Sequence, residues 1–200
     1  MPQFGLKGIN CAKYVNTAGV ISYTNAQKVG DAMTAQIELR FAEGRLYAED
    51  SLAEYMKKAV GGTISMGVKY IEIAAQKLMF GMRDKTRSIS YIPTGTTVTA
   101  TATASSLMIG GHDEGQYVGI AFYASDMIDG VRKYTCVLIR KALFGPPSMS
   151  LQTAGESIQF NTPTTSGEFL ADDSASQDLF EVAIVDDENE AKAWITEVLK

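Results

Sequence analysis

The sequence feature that most constrains the fold is a strict alternation of apolar and polar residues in segment 35–41. Apolar side chains stand at Ala35, Ile37, Leu39 and Phe41, with Gln36, Glu38 and Arg40 between them. Successive side chains of a β-strand point to opposite faces, so this period predicts a strand with one buried face. Glu43-Gly44 supplies a turn and residues 45–48 can return, which predicts a β-hairpin.

Two later segments have the composition of strands buried on both faces. Residues 117–123 and 133–140 are near-continuous apolar runs on either side of a turn at 126–130. Such runs are typical of strands covered on both faces. Shorter strands are predicted at 20–23, 168–171 and 180–185.

The segment Thr153–Pro163 also alternates. Ile158, Phe160 and Thr162 are separated by Gln159 and Asn161, and Pro163 marks the end of the predicted strand.

Residues 51–60 fit two structures. Leu52, Tyr55, Met56 and Ala59 have helical spacing, and Ser51-x-x-Glu54 resembles a capping box. A Gly61-Gly62 turn followed by alternating Ile64, Met66, Val68 and Tyr70 instead favours a second hairpin. We favour the strand.

Two helices are predicted. The first carries Ile71, Ala74, Ala75, Leu78 and Met79 on one face, ends at Gly81 and is expected to pack on a sheet. The second begins at Asp186 or Asp187 and presents Ala191, Trp194, Ile195 and Val198 on one face.

The chain is predicted to form one domain, residues 1–200, from which two of the remaining segments extend. Residues 1–30 lack clean periodicity and are interpreted as an N-terminal arm. Residues 82–116 are polar and rich in threonine, and a structureless loop of this length is unusual, so an extended loop or a β-arm is expected there. We interpret the basic cluster 83–87 as part of a solvated loop rather than as a nucleic-acid patch. The sequence therefore predicts a mainly β (α+β) fold with one packed helix and a C-terminal helix.

The side chains offer little chemistry for an enzyme. His112 is the only histidine and lies in a glycine-rich segment that predicts an exposed turn, beside Asp113 and Glu114. Cys11 and Cys136 are far apart in sequence and are expected to be buried, inert thiols rather than a disulfide or metal ligands. No catalytic, cofactor-binding or metal-binding residue is predicted.

The charge distribution argues against a tight, sequence-specific DNA binder. The formal net charge is -5, and residues 168–200 hold ten acidic side chains against Lys192 and Lys200. This acidity is interpreted as a solvated face with carboxylates at a helix start; a surface that repels nucleic acid is the alternative. The N-terminus lacks a signal-peptide pattern and no run approaches about 18 apolar residues, so folding in a cytosol is expected.

Six motifs in order resemble the major tail protein family of long-tailed phages with non-contractile tails. They are Leu46–Asp50, Gly61–Val68, Tyr117–Phe122, Lys133–Lys141 running to Phe144, Thr153–Pro163 and Ala193–Ile195.

This resemblance implies an antiparallel β-sandwich or barrel of the tail-tube type, without catalytic residues. It implies a virion protein, assembled in the host cytoplasm, whose six-membered rings stack into a hollow tube. It also implies tape measure, tail terminator and distal tail proteins as partners, with genomic DNA passing through the lumen without specific binding and no membrane contact.

Three other functions remain open. A tube subunit of a related phage-tail-like or secretion particle would share the same rings. A monomeric β-sandwich that binds carbohydrate or peptide would need an exposed aromatic cluster, and an enzyme would need a constellation that one histidine does not supply.

Overall fold

The computed structural model describes residues 3–48, 51–148 and 162–200. Over these ranges the chain is mainly β with antiparallel sheets and two helices, as predicted. The elements are β1 Gln3–Thr17, β2 Val20–Lys28, β3 Ala32–Ala48, β4 Ser51–Val68, α1 Ile73–Phe80, β5 Arg83–Tyr91, β6 Ala100–Met108, β7 Val118–Ile128, β8 Val131–Phe144, β9 Thr164–Phe169, β10 Phe180–Val185 and α2 Glu188–Val198. The predicted strand in Thr153–Pro163 lies almost entirely outside the described residues.

One large sheet organises the molecule. Its strand order is β2-β1-β7-β8-β9-β4-β3, and β10 pairs with β8 beside this path. The outer edge of β8 is shared, because residues 134–139 pair with β10 and residues 142–144 pair with β9. β1 also contacts β3, although four strands lie between them in the order, so the sheet is strongly curled.

Each helix covers one face of the sheet. Along β7, Val118, Ile120 and Phe122 pack in the core that contains α1, whereas Ala121 and Tyr123 pack in the core that contains α2. This division follows from the period of two in a strand. The prediction that β7 and β8 are buried on both faces is confirmed.

The N-terminal segment is part of the sheet rather than an arm. β1 pairs with β2 on one side and with β7 on the other, and Ile9 and Cys11 are completely buried. The interpretation of residues 1–30 as an arm is wrong over the described part. The apolar period was missed because two register shifts against β7, next to the left-handed Gly5 and Gly8, interrupt it.

The first hairpin is much longer than predicted. Gly44 is not a turn but lies within β3, opposite Met56, and the strands reverse between residues 48 and 51. Gly61-Gly62 is not a turn either, because β4 continues through it. The register against β3 shifts by one residue at this point, and Gly61 has φ 144°. The glycines mark a bulge where a Cβ on Gly62 would lie 2.1 Å from the Glu38 carbonyl oxygen. The strand favoured for residues 51–60 is confirmed.

The predicted strands at 20–23, 117–123, 133–140 and 180–185 are confirmed, and all but the last are longer than predicted. Strand 168–171 overlaps β9 but begins earlier, at Thr164. The turn at 126–130 narrows to Asp129-Gly130, whose φ angles of 51° and 79° are those of a two-residue hairpin turn.

Both helices lie where the sequence predicts them. α1 ends at Gly81, which is left-handed with φ 69° and donates its N–H to the Lys77 carbonyl. The Asp187 side chain caps α2 by accepting a hydrogen bond of 2.7 Å from the Asn189 N–H. The buried residues Ala191 and Ile195 face the sheet.

Segment 82–116 contains a second hairpin. β5 and β6 pair in register from Arg83↔Met108 to Tyr91↔Ala100 and form a separate two-stranded sheet. Of the extended loop and the β-arm, the structure therefore has a β-arm over residues 83–108, followed by an irregular segment up to residue 117.

Candidate assembly interface

The chain exposes more surface than a compact monomer of its size. Its accessible surface is 12735 Å². A folded monomer of 21.6 kDa is expected to expose about 9,200 Å². Within the described residues, two long hairpins and uncovered strand edges expose large apolar side chains. These features constitute the candidate interface.

The largest feature is the outer half of the β3–β4 hairpin, residues 41–60, which we call the distal ribbon. β9 pairs with β4 only over residues 62–67, so no further strand among the described residues flanks the ribbon. Its described side chains are exposed on both faces, apart from Ala59, which is half-buried. A two-stranded sheet without a packing partner is marginally stable in water, so this ribbon is suited to being covered by another molecule.

One face of the distal ribbon carries a polar ladder. The Lys57 ammonium lies 4.4 Å from the centre of the Phe41 ring and 3.0 Å from a Glu43 carboxylate oxygen. Arg45 stacks over Tyr55 at 5.6 Å. The hydrogen bond from Lys57 holds the pKa of Glu43 below its ordinary value. These contacts give the face a defined shape and contribute little folding energy, since the groups are exposed.

The opposite face is open and carries the apolar residues Leu46 and Met56 together with the charged residues Glu54 and Lys58. Leu46 and Met56 are 58% and 74% exposed, and Gly44 opposite Met56 adds no side chain. A Cβ built on Gly44 would meet no atom within 4 Å. This pair of apolar side chains beside bare backbone is a site where a flat partner surface could approach closely.

A second apolar strip lies on β10, at the edge of the sheet. Phe180, Val182 and Ile184 point to one face and are 40–56% exposed. β10 pairs with β8 alone, so its outer N–H and C=O groups form an open edge. An uncovered apolar edge strand is a template for pairing with another chain.

The other end of this layer is β2. The five strands β2-β1-β7-β8-β10 run side by side, with β2 and β10 outermost. The Tyr23 N–H on the outer side of β2 donates to the Lys200 carbonyl at 2.8 Å. The C-terminus therefore covers one position of the β2 edge.

The residues examined for catalysis are not brought together. His112 is exposed in a turn, as predicted, while Cys11 and Cys136 are buried and free, as predicted. Burial raises the pKa of Cys11 to about 12 and that of Cys136 to about 11, so neither is a thiolate near neutral pH. Asp113 has a structural role: it accepts hydrogen bonds from the Gly110 N–H at 2.7 Å and from Arg83 Nε at 3.0 Å.

Many carboxylates of the acidic segment 168–200 pair with cations from earlier strands. Lys141 and Lys133 lie 2.8 Å from Asp173 and Asp186. Arg140 Nε lies 2.6 Å from the buried Asp172 carboxylate. Burial alone would raise the pKa of Asp172, but hydrogen bonds from Ser174 and the charge of Arg140 outweigh it and lower the pKa. Asp173 and Asp186 are exposed as well as paired, and Asp187, Glu188 and Glu190 lie at the start of α2, so the interpretation as a solvated face with carboxylates at a helix start is confirmed.

The β10 strip and the distal ribbon were not predicted as candidate interface from the sequence. The alternation of Phe180, Val182 and Ile184 predicts a strand with one apolar face, but the period alone does not say whether another part of the chain covers that face. Within the described ranges no group of three or more histidine, cysteine or acidic side chains could hold a metal ion. None of the described helices is long and apolar enough to span a membrane. No protein-family model and no curated protein matches the chain.

Proposed function

We propose that this chain is a structural assembly protein: the major tail tube subunit of a long-tailed phage with a non-contractile tail. Copies form six-membered rings, and the rings stack into a tube that conducts DNA. The chain carries out no catalysis. Its site of action is the virion tail, after assembly in the bacterial cytoplasm.

The distal ribbon carries this proposal. It projects beyond the sheet with apolar residues such as Leu46 and Met56 exposed, and nothing in the described chain covers it. Exposed apolar patches rimmed by polar groups are typical of interaction sites. A monomeric enzyme or binding module has no need for a long uncovered ribbon.

The open edges of the five-stranded layer support closed rings. The β10 edge of one copy and the β2 edge of the next are different surfaces, so their pairing is head-to-tail. A head-to-tail contact generates a ring when its rotation closes. Closure would supply hydrogen-bond partners to the open edges, which are an aggregation hazard in a free monomer.

The proposed partners follow from the tube. Tape measure, tail terminator and distal tail proteins would meet its lumen and its two ends. DNA would pass through the lumen without specific binding, which is compatible with a chain of formal net charge -5 because tight phosphate binding needs a surplus of Lys and Arg. No membrane is involved.

A tube subunit of a related phage-tail-like or secretion particle is the alternative. It would use the same ribbon and edges, and the six sequence motifs favour the phage tail. Sequencing of the genes flanking this one separates the two, since a tail tube gene is expected beside capsid and DNA-packaging genes.

The test of assembly is sedimentation velocity combined with negative-stain electron microscopy over a range of protein concentrations. We expect rings or tubes with a central channel to appear as the concentration rises. A strictly monomeric chain at the highest soluble concentration, with and without added tail-tip complexes, would refute the proposal.

A further inference from the structure

The β5–β6 hairpin is the part of the fold that ring closure leaves without a role. The β5 side chains are all exposed, and those of β6 are exposed or half-buried. At its base, Arg83 pairs with Asp113 at 3.0 Å and Asp84 pairs with Lys77 at 2.6 Å. An isolated two-stranded hairpin is marginally stable in water, so a covering surface is expected.

The two faces of this hairpin differ in charge. Arg83, Lys85 and Arg87 share one face, where the opposite strand supplies the small residues Ala104 and Ser106. The other face is mostly Ser and Thr. The first face is therefore cationic at the base of the hairpin, where Met108 lies opposite Arg83, and continues with Ile89 and Tyr91 towards the tip.

A flat surface of complementary charge lies elsewhere on the same chain. The outer face of β9, β4 and β3 is exposed and uncovered by a helix. Glu38, Thr63 and Glu168 are aligned across its three strands. The row on one side carries Gln36, Ser65 and Ser166, and Arg40 lies on the other side, so the charges of this face are the Glu38 and Glu168 carboxylates and the Arg40 guanidinium. Arg40 approaches Glu168 at 3.5 Å in an exposed pair.

We propose that the cationic face of the β5–β6 hairpin docks on the outer β3–β4–β9 face of a second copy of this chain. Lys85 and Arg87 then face Glu38 and Glu168. This inference rests on the proposed function, because it requires self-assembly, and it assigns a contact that is separate from edge pairing.

The dimensions of the two faces are compatible. Glu38 and Glu168 are two strand spacings apart, about 10 Å, and the Cα atoms of Lys85 and Arg87 are about 7 Å apart. Lysine and arginine side chains are long enough to bridge the difference. Sheets pack face to face at about 10 Å, which suits the alanine and serine rows between the charges.

A second copy is favoured over nucleic acid as the occupant. Non-specific binding of single-stranded nucleic acid combines a cationic groove with several aromatic stacking platforms. The cationic face is flat, and Tyr91 is its only aromatic side chain among the described residues. The carboxylate row on the same chain supplies the complementary charge.

The experiment is a charge swap scored by critical concentration for assembly in sedimentation. The hairpin variant is K85E/R87E and the face variant is E38K/E168K; the matched control is K13E/K69E, at two exposed lysines outside both faces. Circular dichroism monitors folding. If the charge reversal disturbs the sheet, the milder variant E38Q/E168Q, which removes the two charges without reversing them, is used in its place. Each reversal is expected to raise the critical concentration by about 10-fold or more, because attraction becomes repulsion. The control is expected to shift it less than 3-fold.

The mixture of the two reversal variants distinguishes this contact from a general charge effect. Mixed in equal amounts, an acidic hairpin meets a basic face, and the critical concentration is expected to return to within about 3-fold of the native value. If the native chain assembles and the reversals leave the critical concentration unchanged, this contact is overturned and the proposed function stands. Loss of single-stranded DNA retention in K85E/R87E, without a change in assembly, overturns it in favour of nucleic acid. A native chain that never assembles overturns both proposals.

Discussion

Replacing Met56 by serine should weaken assembly without weakening the fold. Met56 is 74% exposed on the face of the distal ribbon that also carries Leu46. Burying a methionine side chain fully contributes about 1.5–3 kcal/mol, so covering this exposed part contributes about 1–2 kcal/mol. A difference of that size changes an equilibrium constant by about 5- to 30-fold.

The assay is the critical concentration for assembly, measured by sedimentation, beside a denaturant titration of the monomer. We expect the Met56→Ser critical concentration to rise by about 5- to 30-fold. The free energy of unfolding should change by less than about 0.5 kcal/mol, because few contacts within the chain are lost. Ile73→Ser is the matched control, since Ile73 is a 60% exposed aliphatic residue on α1, far from the ribbon in the chain. An unchanged critical concentration in Met56→Ser, or an equal rise in the control, would refute the reasoning.

Three further predictions concern the fold. Gly81→Ala should lower the free energy of unfolding by more than about 2 kcal/mol, because its φ is 69° and the new Cβ would lie 2.3 Å from the Glu114 carbonyl oxygen; Gly95→Ala, left-handed but in open space, should cost about 1 kcal/mol in the same denaturant titration. The pKa of Glu188 is lowered by hydrogen bonds from Tyr123 and lysines. Its contribution to stability is therefore present above the ordinary carboxyl pKa and is lost as the pH falls through the lowered value. The melting temperature should fall less steeply between pH 7 and pH 3 in Glu188→Gln than in the native chain, and equal slopes would contradict this. Deleting strand β1 should abolish cooperative unfolding, measured by circular dichroism, because the strand lies inside the sheet; a folded truncation product would restore the arm interpretation.

Local pattern predicted most of the secondary structure, because the interactions that determine it are short-range. The α1 helix was marked by its apolar spacing and by Gly81, and α2 by Asp187. The β7–β8 pair was recognisable from two apolar runs around Asp129-Gly130. In each case the signal and the physical cause lie within one helix or one hairpin.

The errors arose at glycines, because glycine occurs both in turns and at bulges or open positions inside strands. Gly44 and Gly61-Gly62 lie inside long strands, where they allow an open face and a bulge, but in a sequence they resemble turns. The same ambiguity concealed β1, whose left-handed Gly5 and Gly8 interrupt the apolar period.

The candidate interface could be predicted only in part. Exposure of Phe180, Val182 and Ile184 depends on β10 being at a sheet edge, and edge position is a property of the whole topology. Likewise, the ion pairs of Lys141 and Lys133 with the C-terminal acids join residues far apart in sequence. Features that depend on contacts between residues far apart in sequence therefore became visible only in the structure.

The most direct test of the central claim is amide hydrogen exchange over the distal ribbon, residues 41–60, in the monomeric and fast-sedimenting fractions of the same preparation. If the ribbon is a contact between copies, its amides exchange rapidly in the monomer and become strongly protected in the assembled fraction, while β7 is protected in both. Equal, rapid exchange of the ribbon in both fractions would contradict the claim that the ribbon, with its exposed Leu46 and Met56, is an assembly surface.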